Sequence, residues 1–141
     1  LGMASAYGAI GLVLALAVLP SVAAGASSPK QPPTYSNVCM HPESGDLLGL
    51  EISFVGGADG GYAVVQRYEG EASAPEVMKI KPRGDSLVLM YGNIESITAQ
   101  RQARGLRVTH LDGAQSSTGT STETLTPSLA VWQGRQVAVC K

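Results

Sequence analysis

Charge is missing from the first 29 positions: all ten Lys/Arg and all eleven Asp/Glu of the 141 residues fall at or after Lys30. The 44% hydrophobic content therefore averages an apolar leader with an ordinary polar domain. With a formal net charge of -1, binding through bulk charge is excluded, so neither a basic nucleic-acid binder nor an acidic tail is expected. Aromatics are only 5%, with one Trp and one Phe, which leaves little for a ring-stacking platform. The two cysteines are not in CxxC spacing, which speaks against a zinc site. No GxSxG nucleophile elbow and no Asn-x-Ser/Thr sequon occur.

The leader has a definite form. Ala9 to Leu19 is an unbroken run of apolar residues and Gly, which Pro20 and Ser21 break. Val22-Ala23-Ala24 and Ala24-Gly25-Ala26 then supply small-residue cleavage sites. This is the pattern of a secretory signal peptide over 1–26, although no basic residue precedes the apolar run. The alternative is an uncleaved N-terminal anchor, since Met3 to Ala26 is just long enough to span a bilayer. Cleavage leaves no membrane span and a secreted or periplasmic protein. Residues 27–34 then form a flexible mature N-terminus, and 35–141 a single domain.

Export sets the expectation for Cys39 and Cys140. An even cysteine count in an oxidising compartment favours a disulfide, and two cysteines allow one intramolecular pairing. A loop of about 100 residues closed in this way is worth up to about 4–5 kcal/mol.

Between them the chain reads as short strands punctuated by turns. Leu48, Leu50, Ile52 and Phe54 alternate with Gly49, Glu51 and Ser53, the period of a half-buried strand. Gly56 to Gly61 is a glycine-rich tip, with no Lys-Ser/Thr to make it a P-loop. A returning strand runs from Tyr62 to Glu69, and Met78 and Ile80 alternate with Lys79 and Lys81. Pro82-Arg83-Gly84-Asp85 makes a tight turn before a strand from Ser86 to Tyr91. Residues 94–102 fit strand or helix, and the lack of an apolar helical stripe favours strand. Leu106 to Leu111 alternates again. The Ser/Thr/Gly tract Gln115 to Thr126 reads as a mobile loop or a polar edge strand, with Leu129–Trp132 and Gln136–Cys140 as a closing hairpin.

Together these predict an all-β domain, a small mainly antiparallel meander barrel of about seven or eight strands, with a β-sandwich as alternative. Leu50, Ile52, Phe54, Val64, Met78, Ile80, Leu87, Leu89, Val108 and Val139 are the expected core. Barrel closure makes first and last strands neighbours, which would bring Cys39 and Cys140 together.

Candidate chemistry is sparse. His41 with Glu43 and Asp46 has the composition of a metal fragment, but in a polar loop beside a cysteine; no metal and no cofactor are expected. His110, in phase with Leu106 and Val108, reads as a half-buried structural histidine rather than a general base. Glu69 and Glu71 form a carboxylate pair of low specificity. Trp132 reads as a core or rim residue. Arg101, Arg104 and Arg107 gather around one turn, with Arg83 in another, and can grip a carboxylate, a phosphate or an acidic partner; otherwise they are a solvated hairpin end.

Tyr35 and Cys39 at the start and Cys140-Lys141 at the end frame a small barrel. This frame resembles the bacterial lysozyme inhibitors of the membrane-bound and periplasmic C-type group. The likeness covers the frame and not the middle. Their Ser-Gly-x-x-Tyr type of loop is not found, with Gly113-Ala114-Gln115-Ser116 only a distant counterpart, so no functional residue carries over.

The expected function is an exported, non-enzymatic binding or inhibitor module for a protein partner in the envelope or outside the cell. The alternatives are a structural envelope-associated β-domain and, third, a small hydrolase. A mutually bonded His and acid in a cleft would favour the last.

Overall fold

Alternation and turn chemistry produce a continuous antiparallel meander. In chain order the strands are β1 (Thr34–Ser36), β2 (Cys39–Met40), β3 (Leu47–Val55), β4 (Tyr62–Ala72), β5 (Glu76–Arg83), β6 (Ser86–Tyr91), β7 (Ile94–Gln102), β8 (Gly105–His110) and β9 (Thr122–Ser128). The computed structural model describes residues 34–56, 61–111 and 121–141. The expected leader over 1–26 and all but the last residue of the expected mature N-terminus over 27–34 lie outside them, and Thr34 begins β1. Each strand from β3 to β9 pairs with the next, and β1 pairs with both β3 and β9. The result is a closed eight-stranded barrel, with β2 as an extra strand on β3. Closure excludes the sandwich. Residues 94–102 are strand β7, as the missing helical stripe implied.

β1 and β2 are one strand interrupted at Asn37. Thr34↔Ser53 and Cys39↔Leu48 share one register against β3. At the interruption Asn37 N–H still donates to Leu50 O (3.1 Å), but Leu50 N–H donates to the Asn37 side-chain Oδ1 (2.7 Å). The side chain thus replaces a ladder carbonyl. It needs space opposite: a Cβ on Gly49, whose φ is +126°, would fall 2.7 Å from that oxygen. Gly105 marks a second close approach, since a Cβ there would lie 2.2 Å from Leu125 O across the β8–β9 pairing.

Eight strands enclose just enough volume for their own side chains. Leu50, Ile52 and Phe54 from β3 meet Met78, Ile80, Leu87, Leu89, Ile97, Leu106, Val108 and Leu125 inside. Tyr35 packs edge-on against Phe54, ring centroids 5.9 Å apart.

Two core expectations fail. β4 enters with Ala63 and Val65 facing inward, so Val64 points outward and is half-buried. Val139 is 50% exposed. The expected closing hairpin is also absent. Thr122–Ser128 from the Ser/Thr tract closes the barrel instead, and Val131–Gln133 is a short 3-10 turn. Pro127 is tolerated because β9 pairs with β8 through residues 122–125 and with β1 through 126–128, so only one side needs a ladder there.

After β9 the chain crosses the outside of the barrel as a strap. Val131, Gln133, Arg135 and Val137 are partly covered, alternating with exposed Trp132, Gly134, Gln136 and Ala138. It ends in a parallel bridge, Met40↔Val139, and the Cys39–Cys140 disulfide, Cα atoms 4.9 Å apart. The expected bond is present, but it does not close the barrel seam. The seam is β1 against β9, whereas the disulfide fastens the strap to β2.

Candidate functional site

Arg101, Arg104 and Arg107 occupy the β7–β8 hairpin. Arg101 is in phase with inward-facing Ile97 and Ala99 but lies at the rim, Arg104 is in the turn, and Arg107 points outward, opposite Gln100 and Thr124. All three are exposed, and no hydrogen bond or ion pair to a described residue engages them. The other three arginines are engaged. Arg83 pairs with Glu95, holding that carboxyl below the usual carboxylate range. Arg135 donates to Ser36 Oγ (3.0 Å), and Arg67 contacts His110.

The opposite end of the barrel carries a polar network. Arg67 of β4 is in phase with Ala63 and Val65, His110 of β8 with Val108, and Glu123 of β9 with Leu125. Each therefore faces the interior near its end. Arg67 Nη1 lies 3.3 Å from His110 Nδ1, and His110 Nε2 lies 2.6 Å from Glu123 Oε1. Asn37 Nδ2 donates to Glu123 Oε2. The hydrogen bond from His110 holds the Glu123 carboxyl below its usual range against the opposing effect of burial. The network sits where β1–β9 pairing ends at Ser36↔Thr126, so side chains continue the seam that the backbone abandons.

Arg67 also lines an open cleft of about 540 Å³ with Asp46, Glu69, Gly70, Glu71, Ala72 and Ser73. The cleft exists because β5 pairs with β4 only over residues 62–65. Below that, Ser73 caps the open β4 edge: its N–H donates to Arg67 O (2.9 Å) and its Oγ accepts from Arg67 N–H (3.2 Å). The sequence-level pair Glu69 and Glu71 thus stands beside Arg67, at the opposite end of the barrel from the arginine hairpin.

A third cluster lies beneath the strap. Glu51 is only 2% exposed, and both its oxygens accept from Val131 N–H (3.1 and 3.0 Å). Arg135 Nη2 lies 3.8 Å away. Burial raises the Glu51 pKa against the lowering effects of Val131, Ser36 and Arg135, and burial with the nearby Glu51 raises that of Tyr68.

His41 is a turn cap, with Nδ1 accepting from the N–H groups of Glu43 (3.4 Å) and Ser44 (3.3 Å). Asp46 turns to the cleft instead. Among the described residues no group of three or more His, Cys, Asp or Glu is placed to hold a metal ion. Trp132 is 68% exposed on the strap. Residues 57–60 of the glycine tip, residues 112–114 and residues 115–120 of the polar tract lie outside the described residues.

Sequence reasoning missed Asn37, Arg67, Glu123 and the Glu51–Arg135 pair. The available signal was a charged residue in the phase of buried neighbours, usable for Arg67 only once Ala63 and Val65 are known to face inward. No family model, no curated protein and no solved structure matches the chain.

Proposed function

We propose that the chain is an exported, non-enzymatic binding or inhibitor module that grips an acidic protein partner through Arg101, Arg104 and Arg107. The observation that carries this is the split among the arginines: these three are exposed without a bond to any described residue, while Arg67, Arg83 and Arg135 are engaged within the fold. A hairpin on a closed barrel holds the backbone that carries these cations, so only their side chains remain to be ordered on binding. Charge segregation supports the choice. Residues 76–111 hold six Lys/Arg against three Asp/Glu, and residues 34–75 one against six. The near-neutral total conceals this polarity. The disulfide fits an extracellular or periplasmic location, and no helix among the described residues is long and apolar enough to cross a membrane. Cleavage after Ala24 or Ala26 belongs to the same proposal, and intact mass of the exported protein tests it.

The test of binding compares the wild-type chain with R101Q/R104Q/R107Q on immobilised poly-glutamate and in envelope extract. Salt-sensitive retention and capture should be lost in the variant. Equal capture by both returns the hairpin to a solvated end and leaves a structural envelope domain as the better reading.

The hydrolase reading has one observation in its favour, the bonded His110–Glu123 pair beside the cleft. His110 Nδ1 meets Arg67 rather than a hydroxyl or thiol, so among the described residues the pair has no nucleophile to activate. Ester turnover abolished by His110→Gln would revive that reading.

A further inference from the structure

We infer that Arg67, His110 and Glu123 form a proton-operated latch that holds Arg67 inside the barrel mouth when His110 is neutral and releases it into the carboxylate-lined cleft when His110 is protonated. The inference is independent of the arginine hairpin.

The donor and acceptor roles follow from chemistry. A guanidinium can only donate, so His110 Nδ1, 3.3 Å from Arg67 Nη1, must offer its lone pair. Nε2 then carries the ring proton and donates it to Glu123 Oε1 at 2.6 Å. The ring is thereby the neutral Nε2–H tautomer. A second proton has only Nδ1 to occupy. It would set two donors and two positive charges against each other, while the bond to Glu123 becomes charge-assisted. Protonation therefore keeps Glu123 and expels Arg67.

The surroundings favour that outcome. Among the described residues, Arg67 reaches His110 from β4 and Glu123 from β9. β7 presents apolar Ile97 opposite it, and on β8 itself Arg107 points outward. Asn37, from the β1–β2 junction, is uncharged and bonds Glu123. Glu123, already held low, stays ionised, so the bond from His110 Nε2 keeps its acceptor. Arg67 has somewhere to go: it already lines the cleft with Asp46, Glu69 and Glu71, and its long stem can carry the guanidinium towards them.

The experiment is side-chain nitrogen NMR of the full ¹⁵N-labelled chain from pH 8 to pH 5, with His41→Gln assigning the two histidines. The expected result is the Nε2–H tautomer of His110 at pH 8. Arg67 side-chain signals should then move with the same midpoint as the His110 ring, and His110→Gln should leave them unmoved over that range. An Nδ1–H tautomer, an Arg67 signal that ignores ring protonation, or one that moves equally in His110→Gln overturns the latch. If His110→Gln does not fold, the wild-type tautomer and the co-titration decide alone.

Discussion

Inside the barrel and beneath the strap, side chains are comparably hidden from water, yet they are built from opposite chemistry. The interior cluster from Leu50 to Leu125 is wholly apolar. The outward phase of β1 and β3 buries Thr34, Ser36, Glu51 and Ser53 instead. The difference follows from where backbone hydrogen bonds go. Around the barrel each strand finds its ladder partners in its neighbours, so the interior is free to use packing alone. The strap makes few sheet bonds, and its backbone must find other partners. Val131 N–H takes Glu51, and at its far end Met40 N–H meets Ala138 O and Cys140 N–H meets Met40 O. One region rests on apolar area, the other on a carboxylate and a disulfide, so the strap depends on both pH and redox state.

The largest expected effect tests the apolar side. Phe54→Ala removes a ring that is 1% exposed, and denaturant unfolding should show a loss of about 3–5 kcal/mol. A loss no larger than the roughly 0.5 kcal/mol of a surface change would mean that the interior is not what holds the barrel.

Next comes the staple. The double variant C39A/C140A should lose about 2–5 kcal/mol, because in the unfolded chain the bond closes a loop of 101 residues that takes in every barrel strand except β1. Its effect on the folded state should be local. Hydrogen exchange should show the Met40 and Cys140 amides opening while Ile52 and Val108 stay protected. Uniform loss of protection would show that strap and barrel unfold as one unit.

Buried Glu51 and half-buried Glu123 should give opposite pH signatures. Glu51 has a raised pKa in the fold, so above the ordinary 4.5 the folded chain holds the extra proton. Stability should fall as pH rises from 4.5 through the raised value. Glu123 is lowered from 4.5, and its contribution should be lost as pH falls through the folded value. Urea unfolding across pH should show Glu51→Gln flattening the upper slope and Glu123→Gln the lower. Identical profiles for the two variants would remove the distinction. The smallest effect belongs to the hairpin: Arg101→Gln, Arg104→Gln and Arg107→Gln should each shift stability by less than about 0.5 kcal/mol.

Much of the barrel is legible in the residues one strand at a time. Leu48 to Phe54 alternates without ambiguity, and Pro82 to Asp85 can only turn. β4 is different, because Tyr62-Ala63-Val64-Val65 offers apolar residues in both phases. The register with β3 chooses Ala63 and Val65, and a slip of one residue would reverse every side chain. The Ser/Thr-rich Thr122–Ser128 has almost no apolar signal of its own. It is a strand because β8 and β1 each leave an unpaired edge for it.

The sequence by itself determined the short-range features: the positions of most strands, the turn sites, and the one possible cysteine pair. These depend on residues within a few positions of each other, or on simple counting. Only the tertiary structure decided that Glu51 would be buried against Val131, 80 positions away, and that Arg67 would meet His110 across 43. It also decided that the disulfide would fasten a strap rather than the barrel seam. Such partners are fixed by barrel closure, which brings distant strands to a common end and leaves no periodic trace in either segment.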